Sequence, residues 1–180
     1  MQPDAVAFPA PQPGRRIADA GVERERPQWI LPAIVIGQLL ATSLWFAVNA
    51  VIVDLQSRWG ISGGEGLVTT AVQLGFISGT LLFAVLGLAD RFHPSRLFLL
   101  CASLAAVSNA LVMVVADALC AVLALRFLVG LFLAGVYPVG MRIAAAWYRG
   151  GLGRALGFLV GALVLGTASP HLVQAIGADW

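Results

Sequence analysis

Charged residues in this sequence are clustered, and the clusters are separated by long stretches that carry none. Residues 30–53, 66–89 and 97–116 contain no Asp, Glu, Lys or Arg; residues 118–141 contain only Arg126, and residues 155–177 none. At about 1.5 Å per residue, each stretch can cross a hydrocarbon core of about 30 Å as a helix. With 59% hydrophobic and 11% charged residues and a mean hydropathy of +0.89, the chain cannot coat a water-soluble globule. The expected fold class is all-α: a polytopic transmembrane helix bundle of five spans, at 30–53, 66–89, 97–116, 118–141 and 155–177, within a membrane domain of residues 29–180. Residues 1–28 hold Pro3, Pro9, Pro11 and Pro13 among mixed charges, a composition that predicts a disordered cytoplasmic tail.

The tail does not read as a cleaved signal, because the first apolar run begins only at Ile30 and is far longer than a signal core. Trp29 and Trp59 flank that run, as interfacial aromatic residues do. Every basic residue is arginine. With the N-terminus cytoplasmic, Arg15, Arg16, Arg24, Arg26, Arg91, Arg96, Arg142, Arg149 and Arg154 fall inside and Arg58 outside, the distribution expected of a plasma membrane protein, in bacteria the inner membrane. Asp117 alone interrupts the apolar sequence between the third and fourth spans, which predicts a very tight turn, and Pro138 predicts a kink late in the fourth. Cys101 and Cys120 lie in apolar runs and read as small core residues. No cofactor, metal or nucleic-acid partner is expected; the lipid bilayer is.

Polar residues within the spans fall on helical faces. Gln38, Thr42, Trp45 and Asn49 share one face of the first span; Thr69, Gln73 and Thr80 share one of the second; Arg126, Gly130, Leu133 and Tyr137 one of the fourth; Thr167, His171 and Gln174 one of the fifth. These stripes predict a hydrated cavity lined by spans one, two, four and five, with span three packed outside. Interhelical hydrogen bonding is the plainer reading of any single Ser or Thr. A guanidinium within a span costs about 2.5–3.5 kcal/mol on insertion scales, so Arg126 must face a cavity or a partner. No span contains an acid to neutralise it, which leaves a substrate anion, backbone carbonyls, water, or an acid on other helices. His171 can titrate near neutrality, although a lone histidine near a helix end is usually a plain hydrogen-bonding group. Gly75 with Gly79, and Gly157 with Gly161, are small-xxx-small pairs that allow close helix approach.

Leu88-Ala89-Asp90-Arg91 followed by Arg96, between the second and third spans, resembles the cytoplasmic signature Gly-x-Leu-Ala-Asp-Arg-x-Gly-Arg of major facilitator superfamily (MFS) transporters. Leu86 stands at its first glycine, with Gly87 one step late, and His93 at its second. Arg126-x-x-x-Gly130 is similar to the helix-four signature, with Val129 and Phe132 at its polar residue and glycine. The fifth span has glycines and Pro170 but no Gly-Pro pair, so antiport is not supported. The chain thus resembles the N-terminal half of an MFS transporter, its first five helices. The resemblance implies secondary transport by alternating access between two six-helix halves. It implies that Asp90, Arg91 and Arg96 belong to a gating loop, and that Arg126 binds an anionic solute or takes part in proton or ion coupling.

A family member of this type has about twelve spans, so the expectation is a fragment whose partner is a missing C-terminal half or another chain. The competing reading is a non-transporting subunit that oligomerises to complete a pathway. An intramembrane enzyme is disfavoured: Ser169 and His171 face different directions on one helix, and no nucleophile motif or paired-carboxylate site is present.

Overall fold

The computed structural model describes residues 27–60, 64–148 and 150–176. Among them all regular elements are helices: α1 Ile30–Ser43, a 3-10 turn Ala47–Val51, α2 Ile52–Trp59, α3 Gly64–Leu86, α4 Leu88–Arg91, α5 Pro94–Leu111, α6 Leu119–Leu133, α7 Tyr137–Trp147 and α8 Leu152–Ala175. Four runs are long and apolar enough to cross a membrane, and a fifth is formed if the bent pair Ile30–Ser43 and Ala47–Trp59 counts as one span. The expected tail lies almost wholly outside the described residues.

Three segments differ from the expected spans. The first is broken at residues 44–46, turns by 45°, and continues as helix to Trp59 instead of ending near Val53. The fourth is also interrupted: Pro138 has no N–H to return to the carbonyl of Ala134, so the chain passes through tighter bonds, Gly135 N–H to Phe132 O (2.9 Å) and Val136 N–H to Leu133 O (3.0 Å), before α7 resumes. Helix then persists to Trp147, which places Arg142 on a helix and not in a loop. The turn around Asp117 is looser than expected, because α5 stops at Leu111 and α6 starts at Leu119.

Packing centres on the fourth span. α3 lies along α6, α1 along α8, and α5 against both α6 and α7. The α3–α6 crossing is set by Gly75, Gly79 and Gly130. A Cβ on any of them would fall within 3.0 Å of the opposite helix, against the carbonyl oxygens of Phe127, Leu131 and Val72 respectively. Backbone therefore touches backbone, the arrangement small residues permit in membranes. Gly166 serves the α1–α8 crossing, where its missing side chain leaves room for Thr42 and the Leu39 carbonyl.

The buried apolar side chains form two clusters. One gathers Ile34, Ala41, Val72, Ala105, Val129, Leu133 and Leu159; the other gathers Val48, Ile52, Leu55, Val68, Val112 and Val122. Each of the first, second, third and fourth spans contributes to both, so the clusters lie one above the other along the helix axes. Between them, at the bend of the first span, is a polar layer.

Candidate functional site

The polar layer is built on Arg126, which is fully buried. Its Nη1 donates to the carbonyl of Leu44 (2.9 Å) and to Oδ1 of Asn109 (3.1 Å), and its Nη2 donates to the carbonyl of Trp45. Residues 44–46 interrupt the regular i to i−4 ladder of the first span. Carbonyls at such a break need donors from elsewhere, and a guanidinium offers several in a fixed plane. Nε is buried without a partner among the described residues. Arg126 thus takes the carbonyl option left open by the sequence, and takes it inside the bundle. Span three is no bystander: Asn109 comes from α5, and Ser108 beside it is buried as well.

Next to this layer lies a cavity of about 410 Å³ bounded by α1, α3, α6, α7, α8 and the break. Its walls are mainly aromatic, with Trp45, Phe46, Phe76 and Tyr137. Trp45 and Phe76 meet edge to face, their centroids 5.1 Å apart, in the geometry that aromatic quadrupoles favour. Thr42 and Thr167 supply hydroxyls on opposite helices. Both hydroxyls donate to their own backbone, Thr42 to Gln38 O (2.8 Å) and Thr167 to Val164 O (2.9 Å), so what they turn to the cavity is acceptor capacity. Among the described residues no charged side chain lines it. Arg126 stands behind the break, with Nη1 and Nη2 engaged by the two carbonyls and the Asn109 amide, and is not among the residues that line this cavity.

The other expected cavity residues are dispersed. Gln38 is fully buried beside Gly140, and neither amide atom has a hydrogen-bond partner among the described residues. Asn49 is half-buried in the 3-10 turn with Oδ1 likewise unpaired. Thr69 is half-buried on α3, whereas Gln73 and Thr80 are exposed. They point away because the buried face of α3 is its glycine and valine face, Val68, Val72, Gly75 and Gly79. His171 is exposed, with its ring 5.4 Å from that of Phe46. Gln174 carries no described side chain. Gly157 and Gly161 are exposed, and a Cβ on either would meet nothing within 4 Å among the described residues; they make no helix contact in this bundle. Cys101 is buried, but Cys120 is exposed.

At one end of the bundle the loop expected to gate is held by its own chain. Gly87 turns the backbone in the left-handed region (φ 59°), where glycine is favoured, and starts the single turn α4. Arg142 on α7 reaches across to Asp90, Nη1 to Oδ1 2.7 Å, and also donates to the carbonyl of Ala89. Arg91 and Arg96 are exposed and point elsewhere. At the opposite end Arg58 pairs with Asp117 at 3.1 Å, and the indole N–H of Trp59 donates to the carbonyl of Ala116 at 2.7 Å. These contacts tie α2 to the α5–α6 turn.

The residues missed from the sequence are Asn109 and Arg142 as partners, and Phe46, Phe76 and Leu163 as cavity wall. A signal for Asn109 was present. In a helical hairpin turning at residues 117–118, positions 109 and 126 are equidistant from the turn and so level in the membrane.

No curated protein and no solved structure matches this chain. The sequence profile of the Major Facilitator Superfamily matches residues 34–177, which takes in both signature segments, the break in the first span and the whole of the polar layer. The chain is an integral membrane protein and belongs to the Major Facilitator Superfamily of membrane transporters.

Proposed function

We propose that this bundle forms one wall of an alternating-access pathway that carries a small solute across the membrane, with a second helical bundle supplying the opposite wall. The observation that carries this reading is the 410 Å³ cavity at the bend of the first span. Midway along broken helices is where transporters of this architecture hold their solutes. The described wall favours a solute with an apolar or aromatic face and a hydrogen-bond donor for Thr42 or Thr167; an anionic group has no partner on it. Exposed Gln73, Thr80 and His171 support a second bundle, because polar groups are costly against lipid. The arginine distribution supports a cytoplasmic N-terminus in the inner membrane. Coupling to protons or another ion is part of the same proposal, with the imidazole of His171 placed 5.4 Å from the ring of Phe46 at the cavity wall.

The competing reading, a non-transporting subunit, is favoured by Gly157 and Gly161, which present a bare face of α8 for another helix. Side-specific labelling separates the two. In a protein carrying Cys101→Ala and Cys120→Ala, a single cysteine at Thr42 or Thr167 is treated with a membrane-impermeant maleimide in right-side-out and inside-out vesicles. Alternating access predicts labelling from both sides. Labelling from one side only, or from neither, overturns the transporter mechanism and leaves the subunit reading.

A further inference from the structure

A second recess, of about 320 Å³, lies where α4 gives way to α5. Arg91, Phe92, His93 and Arg96 stand at its polar end, and Leu97 and Leu100 continue it along the first turns of α5. Its charges are uncompensated. The nearest acid in the sequence, Asp90, is engaged by Arg142 at 2.7 Å, and the side chains of Arg91 and Arg96 make no ion pair or hydrogen bond among the described residues. Two guanidiniums so placed offer several N–H donors to a phosphate, whose oxygens match their fork geometry.

The apolar half of the recess decides what kind of phosphate. Leu100 is six residues beyond Pro94, the first residue of α5, and so about 9 Å deeper along the helix axis. Phe92, which ends α4, and Leu100 on α5 are both more than half exposed, and α5 goes on into the membrane as an apolar span. From the start of α5 inward, the cation Arg96 comes first and the aliphatic Leu100 follows, with Arg91 and Phe92 beside the charged end. That is the order of phosphate and acyl chain in a lipid leaflet, and basic recesses at the membrane boundary of helical bundles bind acidic headgroups in this way. A free phosphate would satisfy the arginines and leave Phe92 and Leu100 uncovered.

We propose that the recess bounded by Arg91, Arg96, Phe92 and Leu100 is a binding site for an anionic phospholipid, which holds its phosphate on the two guanidiniums and lays an acyl chain along the start of α5. The site is independent of the solute pathway and requires no second bundle.

The test uses the full 180-residue protein, transferred from detergent with equimolar dioleoyl phosphatidylglycerol and dioleoyl phosphatidylcholine and read by native mass spectrometry. The expected result is preferential retention of phosphatidylglycerol by roughly five-fold per arginine, on the order of 25-fold in total. The variant R91Q/R96Q loses the preference, and R91K/R96K, which keeps the charge, retains most of it. Both positions are exposed, so the variants fold; size-exclusion profiles matching the parent verify this. Three outcomes overturn the proposal: equal retention of the two lipids, a preference that survives R91Q/R96Q, or displacement of phosphatidylglycerol by an equal concentration of glycerol phosphate. The last would assign the recess to a soluble phosphate instead.

Discussion

Asn109 and Arg126 stand level on adjacent antiparallel helices, amide oxygen to Nη1 3.1 Å, and together they close the polar layer that separates the two apolar clusters of the bundle. The same guanidinium serves the carbonyls of Leu44 and Trp45. Three spans therefore meet at one cation, and the energetic weight of the layer rests on the arginine more than on the asparagine.

Replacing Arg126 by leucine takes the guanidinium donors from two carbonyls of a broken helix in an apolar interior and leaves that of Leu44 only a long bond from the Ala47 N–H, 3.5 Å, at up to about 1–3 kcal/mol each. Replacing Asn109 by leucine forfeits a single interhelical hydrogen bond, worth about 0.6 kcal/mol on average in membrane proteins. Thermal unfolding in mild detergent should rank the parent above N109L and N109L well above R126L. Equal midpoints for the parent and R126L would mean that the break holds its shape without the arginine.

The glycines separate into two groups with opposite expectations. Gly130→Ala drives a methyl group into the Val72 carbonyl and Gly75→Ala one into the Phe127 carbonyl, so α3 and α6 must separate, at about 1–3 kcal/mol or more. Gly157→Ala and Gly161→Ala meet open space and should leave the stability of this chain unchanged or slightly higher, since alanine favours helix over glycine by about 1 kcal/mol. Circular dichroism melts of the four variants test the division. If G157A or G161A costs as much as G130A, α8 packs in solution against a surface that this bundle does not supply.

The contacts at the two ends should answer differently to salt. Arg58–Asp117 and Arg142–Asp90 are largely exposed, and such pairs are worth about 0–1 kcal/mol, less in salt. The Trp59 indole bond to Ala116 is partly buried and uncharged on both sides, and its loss in Trp59→Phe should cost about 1 kcal/mol. Denaturation at low and high salt should therefore show the effect of Asp117→Asn shrinking while that of Trp59→Phe persists. A Trp59→Phe effect that vanished in salt would show that the indole bond depends on the ion pair next to it.

Much of the bundle was legible because lipid imposes its requirements through composition alone. The number and order of the spans follow from the absence of charge over 30–53, 66–89 and 97–116, and Arg126 is conspicuous because a cation inside a span is expensive. What escaped was set by geometry between helices. Gln73 and Thr80 are polar and correctly spaced, yet α3 turns them outward because the glycine face of the helix approaches α6 more closely. Periodicity finds a face, but it does not say which of two faces is buried when one is polar and the other merely small. The break at residues 44–46 carries neither glycine nor proline, so propensity gave no warning of it; the carbonyl-binding arginine lies some eighty positions away in the sequence. Arg142 looked like a loop cation because it is the first charge after the apolar run 118–141, whereas α7 continues as helix through it to Trp147, its Pro138 lying in the first turn, where proline is well tolerated.

The bend in the first span has a mechanical consequence. A continuous helix transmits torque, since each turn is bonded to the next. Here the ladder is interrupted between Ser43 and Ala47. Below the interruption α1 is carried by α8, and above it α2 is fastened to the α5–α6 turn through Trp59 and Arg58. The span therefore behaves as two levers on one pivot, and Arg126 is the pin through that pivot. Tilting of α8 reaches both α1 and the 3-10 turn directly, and what lets the two respond separately is the backbone of three residues between them, Leu44, Trp45 and Phe46, two of which are wall of the cavity.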